Sequence, residues 1–135
     1  MAVRQILLLG SPRIEHDGQR ITIGRRKALA LLAYLVTTRD TFSREALAAM
    51  FWTDAELSRG LAYLRTTLWT LNQALGDDWA VVEEDTLRFN IDAGIIDDVS
   101  RFKHLLTENT PEALNEAWIL YRNDFLAGFT LPDTP

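Results

Sequence analysis

One face of the helix predicted over residues 57–75 carries side chains that can donate or accept hydrogen bonds. Six leucines recur here at steps of three and four residues, which places them on one stripe of an α-helix. At about 100° per residue, the side chains on and beside the opposite face include Arg59, Tyr63, Thr66, Thr70 and Gln73. Side chains of these types read base edges and phosphates in the major groove of DNA. An ordinary surface helix also exposes a polar face, so the flanking elements have to decide between the two interpretations.

The residues needed for catalysis or for metal binding are scarce. The chain has no cysteine, and its two histidines, His16 and His104, have no partner at ligand spacing. The adjacent acidic pairs at 77–78 and 97–98 point about 100° apart on a helix and do not converge. No nucleophile arrangement or glycine-rich nucleotide loop is present. We therefore predict that the protein is not an enzyme and uses no cofactor or metal.

Composition limits the class of protein. A chain of 135 residues with 47% apolar content suits one domain, or one small domain with part of another. No apolar run approaches the roughly 20 residues of a membrane span, and the N-terminus lacks a signal-peptide pattern. We expect a soluble, cytoplasmic protein with no membrane partner.

Charge is distributed unevenly along the chain. The net charge is −5, yet residues 1–76 hold ten Lys/Arg against six Asp/Glu, while residues 77–135 hold four against thirteen. A basic module followed by an acidic one is typical of a DNA-binding domain joined to a protein-contacting domain, because duplex DNA attracts only the first. Acidic surfaces also keep proteins soluble, so the asymmetry favours a DNA partner only weakly.

The N-terminal part predicts a small antiparallel sheet. Residues 3–9 end in four consecutive apolar residues and are typical of a buried strand. Two further strand-like segments flank Asp17-Gly18, a dipeptide that readily adopts the positive φ angles of a tight hairpin. About three strands result.

Three helices follow in the prediction. The first begins at Arg25-Arg26-Lys27, whose bases could touch a phosphate backbone or be merely solvated. The second starts after Ser43, a good N-cap, and turns Leu47, Met50 and Phe51 inward. A connection over residues 52–55 leads to the leucine-striped helix, which Gly76 ends.

A second hairpin is predicted after the long helix. Residues 79–84 and 87–91 read as two strands joined by a turn at residues 84–86. Three helices and a hairpin in this order predict an α+β fold, a winged helix-turn-helix with the long helix in the recognition position. Apolar positions over residues 97–106 and after Pro111 then predict an antiparallel pair of helices.

Five segments in this order resemble a known family. They are GRRKALALLAYL at 24–35, residues 43–54, LRTTLWTL at 64–71, and residues 98–106 and 121–129. The chain resembles the SARP bacterial transcription activators, which join an OmpR-type winged helix to an all-helical, tetratricopeptide-like bacterial transcriptional activator domain. The resemblance implies a winged-helix domain over residues 1–92 and the first helices of the activator domain over residues 93–135.

The resemblance also implies functional residues. Arg59, Tyr63, Thr66, Thr70 and Gln73 would contact double-stranded DNA in the groove, and Arg65 would contact a phosphate or join a salt bridge. Arg44 and Arg88 would hold phosphates on either side. By analogy, the connection of Trp52, Thr53, Asp54 and Ala55 would contact RNA polymerase. Whether two copies bind side by side as a homodimer on DNA stays open.

A second hypothesis comes from a different functional class. The chain could be a winged-helix module that does not bind DNA and docks a protein through Trp69, Tyr63 and the helical pair. Trp69 is unusual near the outer face of the long helix, where it could instead pack on the hairpin. The acidic total charge keeps this hypothesis open.

Overall fold

A computed structural model describes residues 3–121 of the chain. The described residues form an α+β protein, and the elements run β1 (Arg4–Leu7), β2 (Arg13–His16), β3 (Gln19–Ile21), α1 (Arg26–Thr38), β4 (Phe42–Ser43), α2 (Arg44–Phe51), α3 (Leu57–Leu75), β5 (Ala80–Val82), β6 (Thr86–Phe89), β7 (Ile96–Asp97), α4 (Asp98–Glu108) and α5 (Pro111–Leu120). No helix in residues 3–121 is long and apolar enough to cross a bilayer.

The elements group into two compact units. One unit joins residues 3–22 to residues 94–121, and the other consists of residues 23–93. The N-terminal strands β1–β3 therefore belong to the same unit as α4 and α5. The helices α1–α3, which follow these strands in the chain, belong to the other unit. The division into residues 1–92 and 93–135 stays a prediction.

The first unit contains a four-stranded sheet in the order β3-β2-β1-β7. The three N-terminal strands are antiparallel, as predicted, and Ile6 of β1 lies opposite Ile14 of β2. Asp17 and Gly18 adopt φ angles of 52° and 82°, which suit the tight hairpin turn between β2 and β3. Strand β7 adds a fourth, parallel member that the sequence did not predict, because two residues are too few to show alternation.

A buried carboxylate joins the end of β1 to the start of α4. Asp98 is 2% exposed, and its two oxygens accept hydrogen bonds from the backbone N–H groups of Leu8 and Leu9, at 2.8 and 2.9 Å. The neighbouring Asp97 caps α4 by accepting from the Ser100 N–H at 2.9 Å. The acidic pair at 97–98 therefore has a structural role in the link between strand and helix.

Helices α4 and α5 pack against each other as the predicted antiparallel pair. Arg101 near the start of α4 pairs with Glu116 of α5 at 3.0 Å, and the ring of Phe102 lies 5.7 Å from that of Tyr121. Leu105, Ala113 and Ala117 form the buried core of this pair. Trp118, by contrast, is 76% exposed. Residues 122–129, the second half of the predicted resemblance to the activator domain, lie outside the described residues.

The second unit packs α1, α2 and α3 against a three-stranded sheet in the order β4-β6-β5. Its fully buried side chains come from all three helices and from the hairpin, and they include Leu31, Leu32, Leu35, Leu47, Leu64, Leu71, Trp79 and Leu87. One expectation about α2 is wrong, because Met50 is 46% exposed. The buried face of α2 is centred between Leu47 and Ala48, and Met50 lies about 110° around the helix from that centre.

Removing the carboxylate of Asp98 is expected to destabilise the protein. Asp98→Ala removes the carboxylate oxygens that accept from the buried N–H groups of Leu8 and Leu9, so the free energy of unfolding should fall by about 2–4 kcal/mol. Asp98→Asn keeps one acceptor oxygen, so its free energy of unfolding should lie between those of Asp98→Ala and the native protein. Chemical denaturation measures the difference.

Asp92, which is exposed, provides the matched control. Asp92→Ala should change the free energy of unfolding by less than about 0.5 kcal/mol. Equal effects of the substitutions at positions 92 and 98 would contradict the structural role of Asp98.

Candidate nucleic-acid interface

Helices α2 and α3 form a helix-turn-helix around a close crossing. Ser43 accepts a hydrogen bond from the Ala46 N–H at 3.0 Å and caps α2, as the sequence predicts. Where the helices cross, a Cβ atom built on Gly60 would lie 3.4 Å from the Cβ of Ala48 and 3.8 Å from that of Trp52. A small residue on each helix therefore lets the two backbones approach closely.

This crossing moves the buried face of α3 away from the predicted leucine stripe. The helix spans Leu57–Leu75 as expected, but Leu57 is 48% exposed and Leu61 is half-buried. Gly60 and Thr67 take their place in the buried face, because α2 covers the side of α3 that contains Gly60. The expectation that all six leucines point inward is wrong for the first turn.

The outer face of α3 presents most of the predicted DNA-contacting side chains to solvent. Arg59, Arg65, Thr66 and Gln73 are exposed, and Tyr63 and Thr70 are half-buried. The helix contains two arginines and no acidic residue. Neither arginine forms an ion pair within the described residues. Both guanidinium groups are therefore available to an anionic partner.

The threonine hydroxyls of this face bond within the helix. The hydroxyl of Thr66 donates to the carbonyl of Ala62 at 3.2 Å, and that of Thr70 donates to the carbonyl of Thr66 at 3.1 Å. Their oxygen lone pairs and methyl groups remain to meet a partner. Each threonine thus offers an acceptor and an apolar contact.

Trp52 anchors an aromatic and cationic cluster at the connection between α2 and α3. It is 4% exposed, and the ring of Tyr63 lies 6.1 Å from its own. The Nζ of Lys27 lies 5.7 Å from its ring centroid, within the distance of a cation–π contact. The connection predicted to meet RNA polymerase is only partly accessible. Trp52 is buried and Ala55 is half-buried, whereas Thr53 and Asp54 are exposed.

The β5–β6 hairpin forms the wing and is fastened to α3. The indole N–H of Trp79, which is 1% exposed, donates to the side-chain oxygen of Asn72 at 2.7 Å. Strand β4 pairs with β6, an addition that the sequence did not predict because β4 has only two residues. Asn72 also escaped prediction, since a polar residue on a helix gives no sign of a tryptophan partner seven positions later.

The two arginines predicted to flank the helix both lie half-buried, Arg44 at the start of α2 and Arg88 on β6 opposite Val81. The backbone N–H of Arg44 donates to the carbonyl of Asp85 at 2.9 Å, which joins α2 to the tip of the wing. The tip carries three exposed acidic residues at 83–85. Residues 23–93 contain eight Lys/Arg and ten Asp/Glu, so the positive charge available to DNA is local to α3 and the start of α1.

Neither histidine is part of a cluster within residues 3–121. The Nε2 of His104 lies 3.1 Å from a carboxylate oxygen of Glu108, and that of His16 lies 3.7 Å from one of Asp17, both near the surface. The described residues contain no group of three or more His, Cys, Asp or Glu side chains that could hold a metal ion.

Three helices followed by a hairpin wing define a winged helix-turn-helix, and comparison with solved structures agrees with this assignment. The chain is similar to the structure titled Mycobacterium tuberculosis EmbR in complex with low affinity phosphopeptide, with a TM-score of 0.78 and 22% sequence identity over 93% of this chain. It spans 38% of the length of that EmbR chain. No family model matches the sequence, and no curated protein matches it. At this identity the likeness shows a shared fold, and it confirms the fold expected from the resemblance to SARP-type winged helices.

The space around Gly60 predicts opposite effects for small and large substitutions. A Cβ fits at ordinary van der Waals distance and alanine favours helix, so Gly60→Ala should raise the free energy of unfolding by about 0.5–1 kcal/mol. Gly60→Leu should lower it by about 1–3 kcal/mol, because the larger side chain forces α2 and α3 apart. Chemical denaturation of both variants measures the effects.

Ala62, an exposed residue of the same helix, provides the control. Ala62→Gly should destabilise by about 1 kcal/mol through helix propensity alone. If Gly60→Leu lowers the free energy of unfolding no more than Ala62→Gly does, α2 and α3 do not pack closely at Gly60.

Proposed function

We propose that this protein is a sequence-specific, DNA-binding transcription regulator of the SARP type that places α3 in the major groove. The observation that carries the proposal is the outer face of α3, where Arg59, Arg65, Thr66 and Gln73 stand exposed on a helix without acidic residues. A helix about 10–12 Å wide fits the major groove, and these side chains match the donors and acceptors of base edges. The β5–β6 hairpin lies beside the backbone as the wing.

Roles follow from exposure and bonding. Arg59 and Gln73 are the residues that contact base edges, because both offer donors and stand clear of the core. Thr66 and Thr70 contribute acceptor and methyl contacts, since their protons are used within α3. Tyr63 would offer its hydroxyl to the groove, while its ring lies 6.1 Å from that of Trp52.

Phosphate contacts come from three arginines. Arg65 lies on α3, Arg44 at the start of α2 and Arg88 on the wing. The Nε of Arg44 is buried and has no hydrogen-bond partner within the described residues, so its terminal nitrogens are the atoms that would meet a phosphate. The exposed acidic tip at residues 83–85 argues against insertion of the wing into the minor groove.

Binding to duplex DNA should weaken steeply with salt. Three phosphate contacts per chain release about three counterions, so the logarithm of the binding constant should fall with the logarithm of salt concentration at a slope of about −3. Two chains bound side by side would double this slope to about −6. Fluorescence anisotropy with random-sequence and selected duplexes from about 50 to 200 mM salt measures it.

Undetectable binding at low ionic strength, or binding with a slope near zero, would contradict the proposal. Such a result would favour the protein-docking hypothesis, in which the outer face of α3 meets another protein.

Substitutions of Arg59 and Arg44 should separate base reading from backbone contact. On a duplex selected from a randomised pool, Arg59→Ala should reduce the preference for the selected site over random DNA by about 5- to 100-fold, the effect of one bidentate base contact. Arg44→Ala should lower affinity for both duplexes by the same factor and reduce the salt slope by about 1.

Arg20, an exposed arginine of strand β3, is the matched control for the lost charge. Arg20→Ala should leave site preference unchanged. Intact site preference in Arg59→Ala would show that α3 is docked in another way. Unfolding curves of each variant confirm that the fold is retained.

We further propose that the connection between α2 and α3 contacts RNA polymerase and makes the regulator an activator. Thr53 and Asp54 are its exposed residues, while Trp52 holds the connection in place from beneath. A regulator of bacterial transcription acts on the chromosome, which implies a cytoplasmic location.

A further inference from the structure

Trp69 occupies an unusual place for so large an apolar side chain. It lies in the middle of α3 and is 63% exposed, whereas the two other tryptophans of the same unit, Trp52 and Trp79, are 4% and 1% exposed. It makes no ring contact or hydrogen bond within residues 3–121, and most of its indole faces solvent.

The neighbours of Trp69 belong to the face assigned to DNA. Residues three and four positions apart are neighbours on a helix surface, which places Arg65 and Thr66 on one side of Trp69 and Gln73 on the other. All of these are exposed. The indole is thus an apolar surface surrounded by a cation and hydrogen-bonding groups, without a carboxylate on the helix to repel phosphates.

The major groove contains one apolar group that such a surface fits. Among base edges, only thymine presents a methyl group, at C5, and apolar side chains distinguish thymine by contact with it. The proposed docking of α3 brings Trp69 to the groove together with Arg65 and Gln73.

We propose that Trp69 is a specificity-determining residue that selects thymine by packing its indole against the 5-methyl group. The proposal rests on the proposed function, since it needs α3 in the major groove. It adds a contact that reads shape and apolar surface to the hydrogen-bond contacts of Arg59 and Gln73.

Replacement of thymine by deoxyuridine tests the contact, because it removes the methyl group and keeps base pairing. The 135-residue protein first selects a duplex from a randomised pool, and each thymine of that site is then replaced singly by deoxyuridine. At one or two positions the native protein should lose about fourfold in affinity, the effect of one buried methyl group. In Trp69→Ala, the same replacements should change affinity by less than about 1.5-fold.

Trp118 is the matched control, because it is also exposed but lies on α5. Trp118→Ala should keep the full deoxyuridine profile of the native protein. A photocross-link provides a test that needs no variant, since 5-bromodeoxyuridine at the sensitive position should attach to the peptide containing Trp69.

The outcomes separate this inference from the proposed function. Salt-dependent binding to a selected site with a flat deoxyuridine profile, or with a profile unchanged in Trp69→Ala, overturns the role of Trp69 and leaves the function intact. A cross-link to a peptide outside α3 does the same. Failure to bind or select any duplex overturns both.

Discussion

The close approach of α2 and α3 at Gly60 and Ala48 sets the orientation on which the proposed interface depends. The packing neighbours of a helix decide which of its sides is buried. Here the side of α3 that contains Gly60 lies against Ala48 of α2. Arg59 is one residue from this contact and points about 100° away, to the solvent side. A glycine in the interior of a helix costs stability relative to alanine, and close packing of two backbones is the compensating gain.

Aromatic rings contact two basic side chains in the unit of residues 23–93. Lys27 lies over the ring of Trp52, and the guanidinium carbon of Arg39 lies 5.6 Å from the centroid of the Phe89 ring. Both contacts are cation–π interactions that hold α1 to its neighbours. The contacts fix where these two charges lie and leave the charges themselves unchanged. For the proposed DNA contact, the two arginines of α3 matter more than the nearly equal numbers of basic and acidic residues in the whole unit.

The elements that sequence patterns could predict are those with enough residues to show a period. The bounds of α3, the cap at Ser43 and the hairpin at Asp17-Gly18 all follow from side-chain spacing and turn chemistry. The short strands β4 and β7 do not, because two residues show no alternation and their pairing partners are distant in the chain. Contacts such as that between Trp79 and Asn72 need the tertiary structure, and they explain why a polar residue occupies that position of α3.

The first unit is assembled from two separate stretches of the chain. The carboxylate that accepts hydrogen bonds from the N–H groups of Leu8 and Leu9 lies 89 to 90 residues later in the chain. During synthesis on the ribosome, all of residues 23–93 emerge before Asp98 does, so the winged-helix unit can close while the N-terminal strands still lack β7 and the start of α4. A fragment that ends at residue 92 would keep α3 and the wing. It would lose the Asp98 carboxylate, which accepts hydrogen bonds from the backbone at the end of β1.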